Sequence, residues 1–395
     1  MIHDEVAAIL SQVNVDELTR QASELNSGKK CSFRPGTHLT ENATMGSANY
    51  HAYLVFDDGT EWLVRIRRAN SKPPELDEYL VESEYATLKF LESTNVPAPR
   101  AYGFGLASDP KNKVGVSYLL IECLPGKPYQ RDDASLEQQH HVIGRLADIL
   151  VELSKHPLPK AGSLIWKDGK PEISAVASNR FFVLGQYGPF ETASQYFTSI
   201  ADQYLDLIAD GQVHYEHAKE AFVFYHVFRE HIDSLCHREL PGTFYLKHVD
   251  DKGDHLLVDE DFNVTGIIDW QFARSVPACE AFGPSLVTAD LGALYSGLAG
   301  VTEDDKLLAQ ELRARGRMDL AELAEENELA RRFQFGLASD LEEDEVPGML
   351  RGLQAVLGNT EVGFHQWIAE KMEDCRNDPR WCQVEALESA KEGHR

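Results

Sequence analysis

His248–Trp270, HVDDKGDHLLVDEDFNVTGIIDW, sets polar chemistry between short apolar runs. Leu256-Leu257-Val258 and Val264-Thr265-Gly266-Ile267-Ile268 are short and β-rich, which predicts two strands. Asp259-Glu260-Asp261-Phe262-Asn263 between them has turn composition, because Asp and Asn side chains bond their own neighbouring backbone. The hairpin puts His248, Asp250, Asp254 and His255 ahead of its first strand and Asp269 just after its second. Two acid-bearing loops are then expected to face one another across a narrow cleft.

That arrangement suits phosphoryl transfer. One carboxylate meets the acceptor hydroxyl and takes its proton, while other groups hold divalent metal against the phosphate oxygens. The protein-kinase catalytic loop has a His, an Asp two residues on, an Asn five after that Asp, and a metal-binding Asp following the next hairpin. His248 and Asp250 fit. Asp269 fits, followed by Trp270 rather than Phe-Gly, and His255 holds the Asn position. The alternative is an acidic hairpin on a solvated surface, which the ordered motifs upstream disfavour.

On these residues, and above all on Gly266-Ile267-Ile268-Asp269-Trp270, the segment resembles the catalytic loop of the aminoglycoside phosphotransferase and choline-kinase group, in its fungal-type branch, within the protein-kinase-like fold. The resemblance implies an α+β, bilobal architecture. Residues 1–124 would form an N-terminal helix and a nucleotide-binding lobe with a small antiparallel sheet and one key helix. Residues 125–395 would form a larger helical lobe with the catalytic loop and acceptor site. ATP or GTP is implied as phosphoryl donor, with Mg²⁺ or Mn²⁺.

The upstream motifs follow in the expected order. Tyr53–Phe56 and Trp62–Ile66 are strand candidates joined by Asp57-Asp58-Gly59-Thr60, a strong hairpin turn. Before them, Met45-Gly46-Ser47-Ala48-Asn49 is small and polar, suited to covering phosphates with backbone N–H groups and the Ser47 hydroxyl, with Asn49 beside it. Arg65 sits where the kinase fold places its phosphate-binding strand lysine. Arg67, two residues on and on the same strand face, is its rival, and a solvated basic strand end is the plain alternative.

Residues 76–93 predict a helix with Leu80, Glu84, Leu88 and Leu91 near one face. An acid on an apolar face is costly unless paired, so Glu84 is expected to meet Arg65; Glu82 is expected to face solvent. Asn95-Val96-Pro97-Ala98-Pro99 forbids continuation of the helix. Val116–Ile121 is a buried-strand run broken by Glu122-Cys123-Leu124-Pro125-Gly126. By resemblance this is the hinge, where the Glu122 carbonyl and Leu124 N–H would meet the nucleobase.

His255 departs from the group's pattern. Magnesium prefers oxygen ligands, whereas imidazole suits softer metals. Three outcomes stay open: His255 binds a metal such as manganese, the Asp254 carboxylate supplies the missing oxygen, or the second metal is lost. Asp251 and Lys252 also replace the loop's usual apolar and His residues. The rival functions are a pseudokinase that binds nucleotide or a partner, and a related fold turned to another nucleotide-dependent transfer. No Ala-Pro-Glu motif follows Trp270, which favours a small-molecule kinase over a protein kinase.

With 395 residues and 43% hydrophobic content, the chain can build a substantial core. A formal charge of −26 repels nucleic acid and anionic membrane and favours a cationic acceptor, though it equally serves solubility. Acids interrupt the apolar start MIHDEVAAILSQV, so no secretory signal is expected. No apolar run long enough to span a bilayer is present. The six scattered cysteines read as free thiols in a reducing, cytoplasmic setting.

The remaining expectations concern packing. Residues 3–26 carry the spacing of one N-terminal helix, closed by a polar stretch from Ser27 to Pro35. Residues 135–240 read as mostly helical. Their aromatic stripe, Tyr215, Phe222, Phe224, Tyr225 and Phe228, reads as core; His214, His217, His226 and His231 lack a metal-binding spacing. Residues 303–333, dense in mixed charge, read as a solvated helical face. An acidic loop at 341–345, further helices over 348–374 and a fraying polar tail complete the chain.

Overall fold

The structure, a computed structural model, describes residues 2–36, 48–68, 74–178, 187–251, 253–298, 300–326, 328–336 and 345–392. The chain opens with α1 (Ile2–Gln12) and α2 (Val15–Leu25) rather than the single helix predicted. Asn14 divides them. Its side chain accepts from the Glu17 N–H, so it caps the second helix instead of continuing the first.

β1 (Cys31–Pro35), β2 (Asn49–Phe56) and β3 (Glu61–Arg67) precede α3 (Pro74–Leu91), β4 (Ala101–Gly105) and β5 (Tyr118–Glu122). The strands form one antiparallel sheet in the order β1-β2-β3-β5-β4. Gly59, at φ +84°, makes the turn between β2 and β3. Along β2 the burial alternates, and Tyr50, Ala52, Leu54 and Phe56 face inward. They pack with Ile9, Val13, Leu18 and Ala22 of the two N-terminal helices. The stretch expected to act as a polar breaker supplies β1, which is mostly exposed and lacks an apolar signature.

After β6 (Lys127–Pro128), α4 (Leu136–Leu153) starts at a capping box of Ser135 and Gln138. The region predicted to be mostly helical then yields a hairpin, β7 (Ser163–Lys167) and β8 (Lys170–Ser174). Its turn is Asp168-Gly169, both at positive φ, the Asp-Gly pairing that matches strand twist. The hairpin packs on α3, with Trp166 edge-on to Tyr85 at 5.2 Å.

α5 (Ala193–Ala209), α6 (Ala218–Glu230) and α7 (Ile232–Cys236) follow. Phe222, Phe224, Tyr225 and Phe228 are fully buried, and Tyr225 stacks on Tyr204 at 4.2 Å; Tyr215 is exposed and stands outside this core. β9 (Tyr245–Lys247) leads to the β10 (Leu256–Val258) and β11 (Val264–Ile267) hairpin, and β12 (Arg274–Val276) returns to pair with β9. The remainder is helical: α8 (Ala278–Phe282), α9 (Leu291–Tyr295), α10 (Glu303–Ala314), α11 (Met318–Ala324), α12 (Leu329–Phe335), α13 (Glu345–Val356), α14 (Phe364–Cys375) and α15 (Trp381–Glu392). The tail expected to fray is tied down through Trp381 and Val384, both buried. Most of the acidic run at 341–345 lies outside the described residues.

The chain forms two compact units. One comprises Met1–Tyr129, Ser163–Val183 and His255–Ala273; the other comprises Gln130–Gly162, Leu184–Asp254 and Arg274–Arg395. The β7–β8 and β10–β11 hairpins therefore belong with the sheet, although both follow the first helical stretch in sequence.

Candidate active site

The first unit brings together four of the residues singled out from sequence. Arg65, on β3, is buried, and it contacts two carboxylates. Its Nη1 donates to Glu84 Oε1 on α3, and its Nη2 donates to Asp269 Oδ1 at 2.6 Å. Arg67, its rival, pairs with Asp77 and reaches Asn49 Oδ1 at 3.5 Å; its Nε, like that of Arg65, meets no acceptor among the described residues, so what sets Arg65 apart is its contact with Asp269. Glu84 is buried, as its place on the apolar face of α3 requires, whereas Glu82 is half-buried rather than solvent-facing.

The hairpin sets the direction of Asp269. Asp259 Oδ1 accepts from the N–H groups of Asp261 and Asn263, closing the β10–β11 turn, and Phe262 sits at φ +61°. Gly266 on β11 leaves room for Leu124: a Cβ there would lie 2.3 Å from Leu124 Cδ1. Beyond β11 the chain enters the left-handed region at Asp269, φ +60°. Asp tolerates this conformation better than most residues, but it remains costly and is characteristic of functional sites. Trp270 anchors the turn, donating from its indole N–H to the Ile267 carbonyl at 2.8 Å.

Electrostatics here are unevenly shared. Burial works against the Arg65 charge, but Asp269 and Glu84 outweigh it and push the guanidinium pKa further up. Burial pushes the Glu84 carboxyl up to about 7; Arg65 pulls it down, and the Asp269 charge raises it again. Asp269 is the open end of the cluster, with its side chain 39% exposed.

The second unit carries the loop from His248 to Asp254. It leaves β9, which is held by β12 in the register Lys247–Arg274. His248 is buried, Asp250 is half-buried and Asp254 is exposed. Lys247 Nζ meets Asp251 Oδ2 at 3.1 Å across the loop.

The other predicted residues are distributed as follows. Ser47 lies outside the described residues, with most of its small polar stretch. Asn49 is buried; its Nδ2 donates to Gln271 Oε1 at 3.1 Å. Glu122 closes β5, its main-chain N–H donating to the Arg100 carbonyl at 2.9 Å. Leu124 lies beside the hairpin through Gly266. Three side chains went unsingled in the sequence: Gln271, Gln334, and Lys247 as the partner of Asp251. Only the four-residue spacing of Lys247 and Asp251 could have signalled any of them.

Two features bear on a bound phosphate and metal. Among the described residues, no acceptor meets the buried Nε of Arg65, leaving a donor for a further anionic oxygen. Asp269 Oδ2 and His255 Nε2 lie 3.7 Å apart, a span that two metal–ligand bonds of about 2.1 Å each can bridge. Among the described residues, no group of three or more His, Cys, Asp or Glu side chains is set to hold a metal unaided. The candidate donors in this unit are thus one carboxylate and one imidazole, of which the carboxylate suits magnesium and the imidazole suits softer metals.

Comparison with known proteins places this geometry in context. A sequence profile described as the phosphotransferase enzyme family matches residues 43–326, more than half of the chain. A protein from Ralstonia eutropha, solved as a candidate aminoglycoside phosphotransferase, is similar at a TM-score of 0.50 and 14% identity, with 96% of this chain and 99% of that one covered. That likeness shows the α+β fold. A Plasmodium vivax ethanolamine kinase is similar at a TM-score of 0.46 and 13% identity, over 90% of this chain and 84% of that one. An aminoglycoside phosphotransferase solved with GDP and kanamycin is similar at 0.47 and 16%, over 91% and 97%. No curated protein matches the chain.

Proposed function

We propose, from the premise that the chain belongs to the phosphotransferase enzyme family, that it transfers the terminal phosphoryl group of ATP or GTP to a hydroxyl of a small, cationic acceptor. The observation that carries this reading is Arg65 held between buried Glu84 and half-exposed Asp269. An arginine fixed from behind by one carboxylate is a positioned grip for phosphate oxygens.

In this reading Asp250 accepts the acceptor hydroxyl's proton as the new P–O bond forms and the bond to the leaving nucleoside diphosphate breaks. His248, buried at the start of the loop, sets the loop's course. Arg65 orients the phosphates and offsets their charge; such positioning carries most of the catalysis in this chemistry. Asp269 and His255, with Asp254 as an added oxygen donor, would hold Mg²⁺ or Mn²⁺. When bound, that ion neutralises charge on the phosphate oxygens. The Glu122 carbonyl and Leu124 N–H take the nucleobase edge, with Ser47 and Asn49 on the phosphate side. The functional lobes are 1–124 and 125–395.

The −26 formal charge supports a cationic acceptor and argues against nucleic acid or anionic membrane as a partner. Among the described residues no helix is long and apolar enough to cross a membrane, and all six cysteines are free thiols; we place the protein in the cytoplasm.

The test is nucleotide turnover with Mg²⁺ or Mn²⁺ against a panel of cationic alcohols, aminoglycosides included. Mass spectrometry should find an acceptor gaining about 80 Da, one phosphoryl group. Asp250→Asn should lower turnover at least about a hundredfold while leaving nucleotide affinity within a factor of about three. Binding without turnover would identify a pseudokinase. No binding of ATP or GTP would sink the proposal.

A further inference from the structure

We propose that Lys247, Asp251 and Gln334 form a clamp that positions the loop carrying Asp250. The inference rests on the phosphotransfer reading above, and all three residues lie in the same unit as the loop.

The clamp acts at both ends and in the middle. Lys247 closes β9 with its side chain only 4% exposed, and its ammonium meets Asp251 Oδ2 at 3.1 Å. Three residues lie between them: His248, Val249 and Asp250. The ion pair therefore ties together the two ends of the stretch that holds Asp250. Gln334, on α12, donates from Nε2 to the Val249 carbonyl at 3.1 Å and stands 3.5 Å from Asp251 Oδ1. Asp250 is thus flanked by a neighbour held through its main chain and a neighbour held through its side chain.

Asp251 has little freedom to be replaced. Lys247 and Arg274 are directly opposed on the β9–β12 ladder, and both are buried. Like charges in that position repel, so each needs its own acid. Glu280 stands 3.5 Å from Arg274, and Asp251 serves Lys247. Asp251 stands where the resembling group carries an apolar residue. A buried lysine beneath the loop accounts for that departure: an apolar side chain there would leave the ammonium uncompensated.

The clamp matters because displacing a proton acceptor by about 1 Å can cost roughly a hundredfold in rate. Gln334 offers the cleanest test. It is half-buried and uncharged, and Gln334→Met keeps its length while removing the donor.

Two readouts are needed. The first is the rate of nucleoside diphosphate formation from ATP and GTP with Mg²⁺ or Mn²⁺, which reads transfer to an acceptor and to water alike. Gln334→Met should lower kcat about tenfold, with nucleotide Kd and Tm unchanged, a split that merely structural damage does not produce. The second is hydrogen–deuterium exchange of the whole chain. The Val249, Asp250 and Asp251 amides should exchange about tenfold faster in Gln334→Met, while the β10–β11 hairpin amides stay as in wild type. Asp251→Leu should lower Tm more than the pair Lys247→Met/Asp251→Leu does, because only the single variant strands a buried cation.

Unchanged loop exchange in Gln334→Met would overturn the clamp whether or not the wild type turns over nucleotide. Faster exchange with unchanged kcat would overturn its positioning role. Inactive wild-type protein, or full turnover by Asp250→Asn, would instead remove the phosphotransfer reading, and the exchange result would still decide whether the clamp exists.

Discussion

Arg65 and Arg331 are both buried arginines gripped by two carboxylates, yet they are built to opposite ends. Arg331, on α12, is 1% exposed. Its Nη2 donates to both oxygens of Asp305 at 2.6 and 2.7 Å, its Nε to the Ser285 carbonyl at 2.9 Å, and its Nη1 to Glu328 at 3.3 Å. Arg332 beside it takes the other oxygen of Glu328. Asp305 also accepts from the Thr302 N–H, capping α10. Two cations and two anions cancel, and none of the four side chains is more than 3% exposed. Arg65 has the same number of carboxylates, but one is 39% exposed, one has its pKa raised, and its own Nε lacks an acceptor among the described residues. The difference teaches that burial of charge alone does not mark a functional site. A charge set sealed from solvent holds helices together even with Arg332 Nη1 lacking an acceptor among the described residues; a set with an exposed carboxylate keeps one charge within reach of solvent.

The sharpest way to break this comparison is to cut the closed set. Arg331→Met strands Asp305 in the interior, while Glu328 keeps Arg332, and stability should fall by about 3–5 kcal/mol, measured by chemical denaturation. Nucleotide affinity should be unchanged at temperatures where the variant is folded. A loss near zero would mean that this cluster, too, is loosely solvated.

The open set should respond the other way. Asp269→Asn keeps the shape and the tolerance for positive φ but removes the charge. Turnover should fall about a hundred- to a thousandfold, while Tm moves by no more than about 3 °C, since the carboxylate already meets water. A large drop in Tm with proportionate loss of activity would make Asp269 a structural partner of Arg65 and erase the contrast.

Sequence legibility divides along the same line. The β10–β11 hairpin was legible because strand and turn signals are local, and Asp259 satisfies the turn from within it. The Arg65–Glu84 pair was legible because helix periodicity put Glu84 on an apolar face in need of a cation, and the family resemblance marked Arg65 as that cation; strand periodicity alone could not separate it from Arg67. The Arg331 cluster was not. Along 303–333, mixed charge at helical spacing is the pattern of a solvated face, and the overturning contacts come from Ser285 and Thr288, more than forty residues away in sequence. The β7–β8 hairpin was missed although Asp168-Gly169 announced it, because the flanking helical stretches dominated the window. Gln334 reaches the Val249 carbonyl across 85 residues, a contact with no local signature. Local order is written in neighbouring residues; closure of a charge set depends on which distant backbone arrives.

The smallest effect sharpens the comparison through protons. Burial, outweighing the pull of Arg65 and aided by the Asp269 charge, lifts Glu84 from its ordinary 4.5 to about 7. Between those values the folded chain keeps a proton that the unfolded chain releases. Stability from this group is therefore complete below about pH 4.5 and is lost as pH rises through 7. Glu84→Gln cannot titrate, so the difference between wild type and variant should change by roughly 1–3 kcal/mol from pH 5 to pH 8 in metal-free protein. Asp269→Asn, by removing one cause of the lift, should narrow that window. Parallel pH profiles for wild type and Glu84→Gln would mean that Glu84 is already ionised at pH 5. Arg65 would then be as fully compensated as Arg331, and openness would have to be sought in Asp269 alone.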